Sequence, residues 1–93
     1  MKQDKITAEK IGKYRKITEK ALDIIKRNIS KGKEKEAQEI IKMVDAYMSD
    51  SKHFENKGDL INALGAVYYA HGWIDCGARL KIFEVSDSDL FTI

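Results

Sequence analysis

From Gly58 to Ile82 the chain reads GDLINALGAVYYAHGWIDCGARLKI, and this run limits the fold more than any other. Taken as a helix it has no wide polar face. Leu60, Leu64, Val67, Tyr68, Trp73 and Ile74 point in almost every direction at about 100° per residue. A helix apolar nearly all round is buried on most sides, so the other segments are expected to wrap this one. The low-charge part, Leu60 to Ile74, is shorter than the ~20 residues a membrane span needs and contains Asn62 and His71.

The chain before it reads as two amphipathic helices. In the first, about residues 5–29, Ile11, Tyr14, Ile17, Ala21, Ile24, Ile25, Asn28 and Ile29 recur at spacings of three and four. Asp4 or Thr7 is suited to cap its start, and Gly32 to close its end. In the second, about residues 33–54, Ala37, Ile40, Ile41, Val44, Tyr47, Met48 and Ser51 form one stripe. Glu55-Asn56-Lys57-Gly58 then makes a tight turn, and Asp59 caps a third helix over about 59–82. The tail, 84–93, carries Val85, Leu90, Phe91 and Ile93, too many apolar residues to leave free in water. The expected fold is all-α: one domain, an antiparallel up-down-up three-helix bundle with a docked C-terminal tail. The absence of proline suits long uninterrupted helices.

Charged residues make up 34% and apolar ones 43% of the chain, which fits a globular domain rather than a disordered one. The net charge of +2 hides a polarity. Residues 1–35 hold twelve Lys/Arg against five Asp/Glu, whereas 36–93 hold five against ten. Such a split suggests a basic surface for an anionic partner, or halves that attract each other. The N-terminal MKQDKITAEK has no apolar stretch of a secretory signal, and a cytoplasmic location is expected.

Several groups could carry chemistry. Asp50 and His53 stand at i, i+3, where a carboxylate could orient an imidazole for binding or general-base work; equally, they are a helix-end pair favoured by the dipole. His71, Asp75 and Arg79, with Tyr68 beside them, form the one polar strip on the third helix. It reads as an anion-recognition strip, or as a structural Asp75–Arg79 ion pair where the helix reaches solvent. Lys13, Lys16, Lys20, Arg27 and Lys31 line the first helix opposite its apolar stripe. They would track phosphates, giving a nucleic-acid surface, or form a solvated face. Glu9–Lys13 and Asp23–Arg27 pairs would partly neutralise them, and no surface aromatic interleaves them as a stacking platform would.

His53 and His71 should lie more than roughly 10 Å apart at 1.5 Å per residue, too far to share a metal, and no spacing matches a structural zinc site. No metal or other cofactor is expected. Cys76 is expected to be a small buried core residue. Gly65, Gly72 and Gly77 each cost up to about 1 kcal/mol in a helix interior, and close backbone approach would offset that. A second copy of the chain would then cover part of the third helix, unless its own helices and tail suffice. No phosphate-loop, dinucleotide or nucleophile-elbow motif occurs.

From Tyr47 onward, one set of residues resembles a small archaeal family, the domain-of-unknown-function family numbered 357. They are Tyr47, Asp50, His53-Phe54, Gly58-Asp59, Ala63-Leu64, Tyr69-Ala70, Gly72-Trp73, Asp75, Gly77, Arg79-Leu80 and Leu90-Phe91-Thr92. Cys76 stands where that family usually has Ala. The resemblance implies a three-helix bundle and no assigned activity. Some of its members resemble fusions to nucleotidyltransferase-type domains, which implies an accessory role near nucleotides or RNA. The third helix is also similar, over a short stretch, to the C-terminal helices of translin, a nucleic-acid-binding protein. The expected function is a non-catalytic interaction or self-association module, such as a homodimer, with no membrane partner. The alternative is an accessory binder of nucleic acid or nucleotides through the first-helix stripe or the Asp75/Arg79 strip.

Overall fold

The computed structural model describes residues 5–86, 90 and 91. It contains three helices, α1 (Ala8–Lys26), α2 (Glu34–Asn56) and α3 (Leu60–Arg79), as a three-helix bundle. Both α1 and α2 pack on α3, and they touch each other less than either touches it. The helices are shorter or shifted at their ends relative to the sequence expectation, and each end has a local cause.

Thr7, in extended conformation, starts α1 by accepting the Lys10 amide on its hydroxyl at 3.2 Å; Asp4 lies outside the described residues. α1 stops at Lys26 because the following residues leave to pair with the chain after α3. Ile29 and Phe83 form an antiparallel bridge, the Glu84 amide donates to the Asn28 carbonyl at 2.7 Å, and the Ser30 amide to that of Ile82 at 2.9 Å. Gly32 does take positive φ, but in the loop well past the helix end.

α2 ends in a Schellman motif. The Asp59 amide reaches back to the Phe54 carbonyl and that of Gly58 to Glu55, both at 2.9 Å, with Gly58 left-handed at φ 79°. Asp59 then caps α3 by accepting the Asn62 amide at 3.2 Å. α3 ends three residues early through the same motif, with Ile82 reaching Gly77 and Lys81 reaching Ala78. Here a lysine, Lys81, occupies the left-handed position at φ 60°, which costs a non-glycine residue roughly 1–2 kcal/mol. The Ser30 hydroxyl donates to the Lys81 carbonyl at 2.7 Å and helps hold that turn.

The expected α2 stripe forms the core, with Ala37, Ile40, Ile41, Val44, Met48 and Ser51 buried. α1 is rotated from its expected face. Thr18 and Leu22 are buried beside Ile11, Ala21 and Ile25, whereas Tyr14 is 39% exposed and Asn28, on the surface, donates its side-chain amide to the Ile24 carbonyl at 2.7 Å. The tail docks as expected: Phe91 is buried, and Val85 and Leu90 pack against the main core. Ile93 lies outside the described residues.

The larger correction concerns α3. It buries Ala63, Ala66, Val67, Ala70, Ile74, Gly77 and Ala78, yet its opposite side is open. The bundle is a slab of 41 × 28 × 16 Å, too thin for a helix of about 10–12 Å diameter to be covered all round.

The three α3 glycines therefore divide. A Cβ on Gly77 would sit 2.5 Å from Phe83 Cε2 and 3.0 Å from Ile40 Cδ1, whereas one on Gly65 or Gly72 would meet nothing within 4 Å. Gly77→Ala is expected to cost about 1–3 kcal/mol by overpacking. Gly72→Ala, in dilute protein, is expected to gain up to about 1 kcal/mol from helix propensity. Urea unfolding of both variants checks this, and equal effects of the two would contradict it.

Candidate functional site

The open side of α3 is a groove of about 560 Å³ lined by Gly65, Tyr68, Tyr69, Gly72, Trp73 and Cys76. These positions share one helix face at i, i+3, i+4, i+7, i+8 and i+11. The two glycines and Cys76 make the floor. Tyr68 rises on one side, and Tyr69 and Trp73 on the other. Both tyrosines are braced from neighbouring helices. The Tyr68 ring lies 5.9 Å from Tyr14 of α1 in a tilted pair, and Tyr69 stacks 5.4 Å from Tyr47 of α2 at 17°. Such contacts are worth about 0.5–1.5 kcal/mol each and hold the walls upright. Beyond the groove, Ile61 and Leu80 continue the apolar face, 74% and 64% exposed. Among the described residues no charged one lines the groove.

Cys76 is exposed in this groove, so the expectation of a buried core cysteine is corrected. Cys76 stands four residues past Gly72, on the bare side, while Gly77 and Ala78 take the core side. Sequence periodicity did not reveal which side of this nearly all-apolar helix faces water.

The polar strip on α3 is partly assembled. His71 Nε2 lies 2.8 Å from the Leu90 carbonyl oxygen, and Nδ1 lies 3.0 Å from the Thr18 hydroxyl. A carbonyl only accepts, so Nε2 carries the proton there, and in the neutral imidazole Nδ1 accepts from Thr18. The Asp75 carboxylate stands 3.7 Å from Nε2. The imidazole thus ties α1, α3 and the tail together. Asp75 pairs with His71 rather than with Arg79; the expected Asp75–Arg79 ion pair does not form, and Arg79 is exposed. Tyr68 belongs to the groove wall. A second cavity of about 370 Å³, lined among others by Tyr14, Thr18, Tyr68, His71 and Asp75, adjoins both features.

Asp50 and His53 are both exposed, no hydrogen bond joins them, and the His53 ring leans on Phe54 at 6.1 Å. On α1, Lys13, Lys16, Lys20 and Arg27 are all exposed. The Glu9–Lys13 and Asp23–Arg27 ion pairs do not form; Arg27 Nε donates instead to the Asp23 carbonyl at 3.2 Å. The stripe is therefore less neutralised than its spacing suggests, and exposed Tyr14 borders it. Among the described residues no His, Cys, Asp and Glu gather as a metal site would, and no helix is long and apolar enough to cross a membrane.

Sequence reasoning missed one polar cluster. Arg15 turns inward from the basic helix to meet Glu55 at 2.7 Å and the Ser51 hydroxyl at 3.0 Å, and that hydroxyl donates to the Ala63 carbonyl at 2.8 Å. The signal was Ser51 within an otherwise apolar stripe: a buried hydroxyl needs a partner.

Among comparisons with known proteins, the family model described as "Protein of unknown function (DUF357)" matches residues 13–83. No curated protein and no solved structure matches the chain, so the short likeness to translin gains no support.

The His71 tie makes a specific demand on Thr18. Thr18→Val removes the donor to Nδ1 while keeping the shape, and is expected to cost about 1 kcal/mol, since His71 retains some solvent access. Urea unfolding measures it, and stability equal to the parent would contradict the tie.

Proposed function

We propose that this chain, which belongs to the DUF357 family, is a non-catalytic interaction module that docks an apolar helix on the outer face of α3. The observation that carries this reading is the groove itself: uncharged, glycine-floored, and walled by tyrosines that other helices brace. Glycines in a helix interior cost up to about 1 kcal/mol each relative to alanine, and nothing inside this chain requires them at positions 65 and 72, where a Cβ would meet no atom within 4 Å. Their benefit is close approach of another backbone. Helix-in-groove recognition uses surfaces of this kind, with aromatic residues as the usual anchors. The exposed apolar face is also larger than scattered surface hydrophobics require.

A second reading has one observation in its favour. Lys13, Lys16, Lys20 and Arg27 stand exposed without carboxylate partners among the described residues, as a phosphate-contacting stripe would.

Titrating dilute labelled protein with a leucine-rich amphipathic helical peptide tests the docking reading. Saturable amide shifts are expected at Gly65, Gly72 and Trp73, with affinity at least roughly tenfold weaker in Tyr69→Asp. Absence of shifts on α3 would contradict it. Shifts at Lys13 and Lys20 with a structured RNA at low salt, without any peptide response, would put the second reading first.

A further inference from the structure

The face that docks a partner carries a pattern that is its own complement. Ile61, Gly65 and Tyr68 precede, and Tyr69, Gly72 and Cys76 follow, a midpoint between the two tyrosines, at matching distances on either side. Turned end over end about that midpoint, the face sets Gly65 against Gly72, Tyr68 against Tyr69, and the larger Ile61 against the smaller Cys76. A two-fold interface needs such self-complementarity, because each residue i that meets j is met in turn by the other copy's i.

We propose that the helix occupying the groove is α3 of a second copy, antiparallel, with the two-fold axis passing between Tyr68 and Tyr69. Gly65 of each copy then lies against Gly72 of the other, and Ile61 against Cys76. This rests on the docking reading above and names its partner. Two further observations favour it.

The first is charge. A parallel pair in register would stack Arg79 and Lys81 on their own copies, whereas the antiparallel pair brings them over the other copy's 55–59 turn, where Glu55 and Asp59 outnumber Lys57, and opposes the two helix dipoles. The residues lining the groove are uncharged, so no buried charge opposes closure. The second is area. Ile61, Tyr68, Tyr69, Trp73 and Leu80 are 74, 55, 66, 37 and 64% exposed. Together they offer on the order of 600 Å², most of the roughly 800 Å² per partner of a standard interface.

The geometry sets distinct cysteine distances. In the antiparallel pair the two Cys76 residues stand about 22 Å apart along the helix, at 1.5 Å per residue, beyond the reach of a disulfide, which needs Cα atoms within about 7 Å. Position 61 of one copy faces Cys76 of the other.

The test combines sedimentation velocity over a concentration series with copper-phenanthroline oxidation of the full chain, as the parent and as Ile61→Cys. A reversible dimer is expected, with a covalent dimer formed by Ile61→Cys and not by the parent. Ile61 is exposed, so the substitution leaves the core intact. A parent that cross-links itself through Cys76 would overturn the antiparallel register. So would a dimer in which Ile61→Cys fails to cross-link. A monomer at every concentration, with peptide docking on α3 retained, would overturn the self-partner alone. A dimer that Tyr69→Asp leaves intact would overturn the docking face as well.

Discussion

The buried side of α3 consists largely of small residues. Ala63, Ala66, Ala70, Gly77 and Ala78 face the core between Val67 and Ile74, so the neighbouring helices bring their own Ile, Val and Met side chains close to the α3 backbone. Gly77 is the tightest point of that contact, with Phe83 and Ile40 filling the space where a side chain would stand. Phe83 can sit there only because the chain turns sharply after Leu80 and bridges to Ile29. The loop between α1 and α2, the end of α3 and the tail are thus fastened at one place. Ile61, Tyr68, Tyr69 and Trp73, in contrast, stand on the open side of α3.

That inversion explains what sequence reasoning captured and what it missed. Helix order and turns were legible because Thr7, Gly58 and Asp59 carry local chemistry that needs no tertiary partner. The α2 stripe was legible because its polar face is wide and unambiguous. On α1 the competing candidates were close: Tyr14 and Ile17 lie on one flank of the true face, and Thr18 and Leu22 on it or the other. Hydrophobicity alone ranks isoleucine and tyrosine above threonine. The Thr18 hydroxyl is tolerated inside only because His71, distant in sequence, accepts its hydrogen bond.

The candidate site was half legible. The density of glycine and aromatic residues between Gly65 and Gly77 marked α3 as unusual, and a second copy was a natural way to cover it. The division of the glycines was not readable, because Gly77 and Gly72 look alike until Phe83 is placed. For the same reason Cys76 read as a core residue. The ion pairs expected from i, i+4 spacing fared worst: Asp75–Arg79, Glu9–Lys13 and Asp23–Arg27 all fail to close, while Arg15 and Glu55, far apart in sequence, do. Exposed pairs of this kind are worth only about 0.2–1 kcal/mol, so spacing decides them weakly.

The proposed function therefore turns on whether the bare face of α3 becomes covered. Trp73 is the one tryptophan of the chain and stands on the groove wall, 37% exposed. Its fluorescence reports directly on the surface in question. Over a dilution series from high to low concentration, coverage by α3 of a second copy predicts emission that moves to the red, and acrylamide quenching that rises as the protein dilutes. Emission and quenching that stay constant across the series, with Trp73 as accessible in concentrated as in dilute protein, would contradict it.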